Sequence, residues 1–487
     1  MAARAKRAAF LTQLSLRNVK SFQGEHMLDL TDDDGRPARW TLILGDNGVG
    51  KTTLLECLAH LAPVFNSNDQ TGSEDPPQFI EPRVAAAENS VIENLGRIGD
   101  IEVRVEATFA VDSRLDGGVA SNEAVETWMT FSQKNGESEN IKTSAWPPEL
   151  DKEGKIKGIA RSRWKSFSKF QEPFILAYGA GRHMGIGNLD FSKAPDATDS
   201  LLQGTVELFD AEELLQYIDY ASSPPRAAET KAQRKSSLER AIKAKRQRQI
   251  LLEIIAALLP EVQHASNITI YPPTPLGGQG KSGVYVRTSD GEVRLRQLSF
   301  GYQTMMAWAA DIGWRLFAKY PDSQNPLHEP AIVLVDEIDL HLHPRWQRQI
   351  RELLTRHFPN IQFIATAHSP LMAQAYLDAN LAVVLRQDDH SIIDNDPAVV
   401  ANWRVDQIVT SDLFGLATSW PPDIDALFEE QKLLLAKPKR SLEDDTRLKS
   451  IQASLLKLPT GRNPEDEEAM LIVREAAALL KAKVRRH

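Results

Sequence analysis

Gly45-Asp46-Asn47-Gly48-Val49-Gly50-Lys51-Thr52-Thr53 is the stretch from which the rest of the chain can be read. It fits the pattern G-x-x-x-x-G-K-[ST], with Gly45, Gly50, Lys51 and Thr52 in the required places. The flanks agree: residues 40–44 form a short apolar run that reads as a buried strand, and residues 51–61 carry helical apolar spacing. Strand, glycine-rich turn and helix together make a phosphate nest. Glycines let backbone N–H groups turn toward an anion, and the helix start adds the positive end of its dipole. The pattern assigns Lys51 to the β- and γ-phosphates of a nucleotide and the Thr52 hydroxyl to Mg²⁺, with the whole stretch as candidate contacts. A ligand-free glycine turn is the bland alternative, and the agreement of motif with flanks argues against it.

At 487 residues the chain is too long for one simple core, so two or three lobes are expected. Composition is ordinary for a globular protein, 42% hydrophobic and 25% charged. A net charge of -9 does not recruit nucleic acid, so any such contact must come from a local basic patch. The single cysteine, Cys57, excludes a disulfide framework and suits a reducing compartment; inside the first helix it reads as a small core residue rather than a nucleophile. No apolar run reaches membrane-spanning length, and no adequate signal core follows the basic start. The expectation is a cytoplasmic protein with no membrane partner.

Outward from the phosphate loop, residues 11–16 and 27–30 read as strands, and residues 66–78 as a polar loop. Residues 101–111 alternate strictly, with 126–132 as a pairing partner; residues 134–157 read as a polar surface excursion. Residues 173–178 form an apolar strand leading into a glycine-rich loop at 179–187. Residues 201–220, 250–259, 299–319 and 344–357 have helical spacing, and 268–271, 283–287, 361–365 and 381–385 read as strands. A last helix over 464–484 opens with Glu465, Asp466, Glu467 and Glu468 and closes with Lys481 and Lys483, the order that suits the helix dipole.

Three further stretches carry chemistry. In Ala331-Ile332-Val333-Leu334-Val335-Asp336-Glu337 an aliphatic strand ends in two carboxylates, at the end of a parallel strand where open α/β sheets bind ligands. Asp336 would hold Mg²⁺, and Glu337 would orient the attacking water, since phosphoryl transfer depends on positioning and charge stabilisation. In Gln297-Leu298-Ser299-Phe300-Gly301-Tyr302-Gln303, Ser299 reads as a helix N-cap and Gly301 allows close approach of an anion. Such a grip is surplus to one phosphate loop and makes sense if it completes the site of another copy. In Ala365-Thr366-Ala367-His368-Ser369-Pro370 a strand delivers His368 to the same sheet edge, where an imidazole could steady the water. A strand-end histidine is otherwise structural.

These four stretches, in this order, resemble the ABC-type ATPase heads of the RecF/SMC-like class, over about residues 10–385. The resemblance implies an α/β P-loop NTPase head with an antiparallel β-lobe (about 10–44 and 100–180), a helical insertion (about 200–260), a signature and catalytic core (290–385) and a mostly helical extension (386–487). In that class two heads dimerise head to tail around Mg²⁺ and ATP. Ser299 and Gly301 would then touch the γ-phosphate held by the partner, with Gln303 completing the signature form as a further nucleotide contact. Lys51, Glu337 and His368 take catalytic roles, and Thr52 and Asp336 hold the metal. Asp339 and His341 fall where the dimer-contact loop of the class would be.

More specifically, the chain resembles the ATPase subunit of Septu-type antiphage systems, including those carried with retrons. The supporting stretches are Tyr178-Gly179-Ala180-Gly181-Arg182, Leu208-Phe209-Asp210, Trp403-Arg404-Val405-Asp406-Gln407 and Leu413-Phe414-Gly415-Leu416. In those systems a separate HNH nuclease is the partner. Departures from the wider class are the lack of a sustained heptad run and of a Toprim-like acidic framework after His368. Asp388-Asp389 and residues 394–396 read as turns. Gln171 is a candidate for the glutamine loop, Arg17 and Lys20 for the adenine side, and Arg182 for a nucleotide or partner contact.

Arg226, Lys231, Arg234, Lys235, Arg240, Lys243, Lys245, Arg246 and Arg248 stand against Glu229 and Glu239 over residues 226–248. The stripe fits nucleic-acid phosphates in a salt-sensitive manner or, equally, a solvated helix; it lacks the aromatics that stack on bases. The reading is an ATP-hydrolysing switch controlling a nuclease in antiphage defence. Its rivals are a DNA-repair ATPase, a transporter motor and a low-turnover nucleotide sensor.

Overall fold

A computed structural model describes residues 7–66, 79–83, 95–96, 101–111, 124–134, 137–145, 149–150, 156–158, 170–187, 189, 195–204, 206–223, 231–259, 262, 264–272, 281–289, 291–375, 379–397, 403–411, 414, 416, 418–437, 440–456 and 458. The chain forms two compact units, residues 1–414 and 415–487.

The first unit is built on a six-stranded sheet. From edge to edge its strands are Ile175–Tyr178, Ala331–Val335, Ile361–Ala367, Trp40–Gly45, Asn380–Gln387 and His390–Asp394. All are parallel except the last, which is antiparallel. A parallel sheet needs both faces covered, and its side chains alternate accordingly. Leu42, Leu44, Val333, Val335 and Phe363 enter one core; Ile43, Ile332, Leu334 and Ile364 enter the other. Helices Ala211–Ala221, Lys231–Leu258 and Phe300–Lys319 fill the first core. Helix Lys51–His60 and an antiparallel sheet fill the second.

That antiparallel lobe centres on the long strand Arg7–Val19, which pairs with Phe22–Asp29 on one side and Ile101–Val111 on the other. Ala124–Lys134 and Glu137–Ala145 continue it. Val103, Val105, Ala107 and Phe109 are buried while Glu102 and Arg104 face out, the alternation of a half-buried strand. Where the register slips between Leu11 and Gln13, the buried amide of Gln362 takes the place of a neighbouring strand. It accepts from Leu11 N–H at 2.9 Å and donates to Leu11 O at 2.8 Å and Ala38 O at 3.1 Å. At the far edge, Ser391 N–H donates to Ser21 O, and Asn395 accepts from Asp29 N–H and donates to Met27 O. At the opposite edge, Ala177 N–H donates to Ala197 O.

Several elements differ from expectation. Residues 137–145 are a strand rather than an excursion, because they complete the ladder beside Ala124–Lys134. The helical stretch 201–220 divides: Gly204 at φ 67° ends Asp199–Leu202, and Asp210 caps the next helix by accepting from Glu212 and Glu213 N–H. Residues 344–357 likewise form two helices, Pro344–Gln347 and Ile350–His357. The basic stripe and the apolar helix after it are one helix, Lys231–Leu258. The sheet continues beyond residue 385, since His390–Asp394 pairs back on Asn380–Gln387 through a turn at Asp388-Asp389. Of the loop expected at 66–78, Asn66 ends the strand Pro63–Asn66 and the rest lies outside the described residues, as do residues 226–230, Leu413, Gly415 and the helix expected at 464–484.

The second unit contains helices Pro422–Ala436 and Leu442–Leu455, packed through Leu434, Leu448 and Ile451. Ser441 caps the latter by accepting from Asp444 N–H. Arg447 forks onto Glu430 across the pair.

Candidate functional site

The phosphate loop joins strand Trp40–Gly45 to helix Lys51–His60. Gly45, Gly48 and Gly50 all have positive φ. Gly50 is the helix N-cap at φ 103°, and a Cβ there would lie 2.5 Å from Ser21 Oγ. Only glycine tolerates both the left-handed backbone and that approach. The cap has no side-chain hydrogen bond, so no cap side chain competes for the helix start. Asp46, Asn47 and Gly48 are exposed at the crest; Val49 and Thr53 are buried beneath it. The Ser21 hydroxyl donates to Val49 O, so the turn after the first strand braces the loop from below.

Lys51 is only 5% exposed. Its ammonium donates to Gly45 O at 2.9 Å and Asp46 O at 2.8 Å. Burial pulls its pKa below the usual lysine value, while Asp336, Glu337, Asp339 and Asp46 act the other way. Thr52, exposed, donates its hydroxyl to Asp336 Oδ2 at 2.8 Å. This contact spans a strand: Ile361–Ala367 lies between the phosphate-loop strand and Ala331–Val335.

The intervening strand contributes Thr366, to which the sequence reading gave no role. Its hydroxyl donates to Asp336 Oδ1 at 2.6 Å and accepts from Glu337 N–H at 2.7 Å. Asp336, 4% exposed, is thereby fixed on both carboxylate oxygens. Glu337 has φ 46°, a left-handed conformation that costs a non-glycine residue of order 1–3 kcal/mol. Its carboxylate is half-buried, 3.9 Å from His368 Nε2. His368 N–H donates to Asp339 Oδ2, which fixes the backbone at the strand end.

Arg182 is buried, contrary to the expectation of a nucleotide or partner contact. Its guanidinium donates to the carbonyls of Gly179, Asp336 and Glu337. Gln171 lies away from these groups: it donates to the Tyr320 hydroxyl beside Pro330, where the carboxylate strand begins rather than ends. Lys20 is paired with Glu56 at 2.7 Å, and Arg17 is near Glu25 and Glu102. Cys57 is buried and its thiol pushed up to about 12 by desolvation, as a core residue requires.

The signature stretch forms the start of helix Phe300–Lys319. Ser299 is the N-cap residue, exposed, but its hydroxyl makes no capping bond. A Cβ on Gly301 would lie 2.6 Å from His341 O, so this glycine is required by packing within the chain. Phe300, 53% exposed, meets the His341 ring edge-on at 5.0 Å. Gln303 donates to Arg296 O and Leu298 O, tying down the segment ahead of the helix. The loop, both carboxylates and His368 thus converge at the C-terminal end of the parallel strands; Ser299 and Phe300 form an outward-facing helix start.

Residues 41–373 match the family described as "AAA domain, putative AbiEii toxin, Type IV TA system". The chain belongs to that family. The matched span of this AAA-domain protein takes in Lys51, Thr52, Ser299, Asp336, Glu337, Thr366 and His368. The Septu protein PtuA of Bacillus mycoides is 36% identical over 181 residues, which is 36% of this chain and 24% of that protein. The retron Ec83 probable ATPase of Escherichia coli is 38% identical over 153 residues, 31% of this chain and 27% of that one. The retron Vc95 probable ATPase of Vibrio cholerae is 43% identical over 97 residues, 20% and 19%. The matches span about a quarter or less of these relatives' length. The SMC head bound to the C-winged helix domain of ScpA aligns over 79% of this chain and 97% of that one at 16% identity, with a TM-score of 0.41. So loose a likeness adds nothing to the strand order described above. Among the described residues no helix is long and apolar enough to cross a membrane.

Proposed function

We propose that the chain is an ATP-hydrolysing switch that closes head to tail on a second copy and governs a partner nuclease in antiphage defence. The observation that carries this is the 2.8 Å contact of the Thr52 hydroxyl with Asp336, formed across an intervening strand beside the Lys51 ammonium. It brings together at the phosphate loop two of the oxygen donors a divalent cation would take, and hard oxygen donors suit Mg²⁺. Thr52 and Asp336 would hold that ion, which when bound neutralises phosphate charge.

Lys51 would leave its carbonyl partners for the β- and γ-phosphates. Glu337 would accept a proton from, and orient, the attacking water, with His368 steadying it from the next strand. The exposed Ser299 and its helix start suit a γ-phosphate held by the other copy. Similarity to a Septu protein and to a retron probable ATPase is in keeping with the defence role and the nuclease partner that the resemblance of the sequence implies.

Replacing Glu337 with Gln tests the core of this reading. Turnover should fall about 10²–10⁴-fold, ATP should still bind, and a dimer should accumulate with ATP in size-exclusion chromatography. Hydrolysis at the normal rate would show that Glu337 is not the catalytic carboxylate. A wild-type chain that binds ATP tightly without turnover would instead favour a nucleotide sensor.

A DNA-repair ATPase is the second reading. Arg234, Lys235, Arg240, Lys243, Lys245 and Arg246 are exposed on helix Lys231–Leu258 and suit phosphates. Stimulation of turnover by bare duplex DNA, lost at high salt, would favour it.

A further inference from the structure

We infer that Arg182 is a positioning residue for ATP hydrolysis, setting the aim of Glu337 by gripping the carbonyls of Asp336 and Glu337, one on each side of the Glu337 Cα. The inference deepens the ATPase reading above and rests on it.

In an extended strand neighbouring carbonyls point opposite ways. Here one guanidinium takes both: Nη1 donates to Asp336 O at 2.6 Å and Nη2 to Glu337 O at 3.0 Å. That is possible only because the chain turns sharply at Glu337, whose φ is 46°. The fork of Arg182 and the left-handed residue therefore define each other. Thr366 fixes the same residue through its N–H, and Ile338 N–H donates to Thr366 O. On the carbonyl side Glu337 O accepts from Leu340 N–H as well as from Arg182, and Asp336 O accepts from Arg182. A flat, two-pronged donor suits this task, whereas an ammonium cannot reproduce its geometry.

The grip has its own support. Nη1 also donates to Gly179 O at 3.0 Å, so the glycine-rich loop is closed around the side chain. The guanidinium carbon lies 5.7 Å from the Trp308 ring centroid. Trp308 is buried in the helix that begins at Phe300, next to the proposed trans contact at Ser299. Arg182 Nε and Trp308 Nε1 are buried without a hydrogen-bond partner, an uncommon cost for a chain to carry away from a working site. Buried and spent on backbone carbonyls, Arg182 would act through Glu337 rather than on substrate.

Arg182→Lys keeps the charge and removes the fork. Steady-state hydrolysis by Arg182→Lys and Arg182→Gln, each assayed at a temperature where circular dichroism shows it folded, should give kcat about 100-fold below wild type. Dissociation constants for a fluorescent ATP analogue should stay within about threefold. Arg182→Gln combined with Glu337→Gln should be no slower than Glu337→Gln alone, because both changes act on one step. Wild-type kcat in Arg182→Lys, a parallel loss of nucleotide affinity, an additive double variant, or variants that do not fold would each overturn the inference. A wild-type chain without ATP turnover would fail the ATPase reading itself, and the two failures are separable.

Discussion

His60 closes the phosphate-loop helix and is buried there, 6% exposed. Desolvation, then Lys20 and Arg83, lower its pKa from the usual 6.5 to about 4. Between those values the unfolded chain binds a proton that the folded chain excludes. The contribution is therefore intact above about pH 6.5 and is lost as pH falls toward 4. Moving from about pH 7 to about pH 5 should cost roughly 2 kcal/mol through this one group. Urea midpoints should show that loss, and His60→Gln should abolish it. At this scale the phosphate loop was legible because its glycines, lysine and threonine sit together in the chain and their spacing is their geometry. Thr366 and Arg182 were not, since each meets Asp336 only through folding, across separations of 30 and 154 residues. Arg182 did stand out as a charge in a glycine-rich loop, but nothing local announced that it would turn inward.

The helix Phe300–Lys319 decides more than any other element. It buries Met305, Met306, Trp308, Ile312 and Leu316 in the larger core while leaving Ser299 and Phe300 in the open. Its existence was plain from apolar spacing; the packing of Gly301 against His341 was not. The sequence suggested that Gly301 makes room for an anion, whereas His341 O already occupies the space next to it. Gly301→Ala should therefore destabilise the folded chain by about 1–3 kcal/mol through overpacking, with nucleotide absent. Thermal melting of the apo protein measures this, and an unchanged melt would leave room for an anion alone as the reason for the glycine. Helix Lys231–Leu258 changes in composition from basic to apolar midway. Composition follows burial: among the described residues Ala241 and Ala244 are the buried ones in the basic half, and Leu251, Leu252 and Ile255 lie deep in the core.

For the whole molecule, the ordering of motifs predicted the α/β class, and the strand order adds what they could not. Placing Ile361–Ala367 between the loop strand and the carboxylate strand is a topological choice that no local pattern encodes. Head-to-tail pairing belongs to this scale as well. Chains carrying Lys51→Ala and chains carrying Ser299→Arg should each be inactive alone. Mixed in equal amounts, they should recover about a quarter of the sites if random pairing leaves one complete site in half the dimers. Hydrolysis rates of the mixture check this; activity no higher than that of either parent, with mixed pairing shown by crosslinking, would exclude composite sites.

The flanks of the central sheet bear on how copies can meet. One flank is taken by Ala197, the other by Ser21 together with the Asn395 side chain bridging to Met27 and Asp29. Free strand borders are where chains zip into ribbons and fibrils. With these borders engaged, lateral growth strand by strand is hindered, and the head-to-tail pairing proposed above would fall to side-chain surfaces, which can part without breaking a ladder.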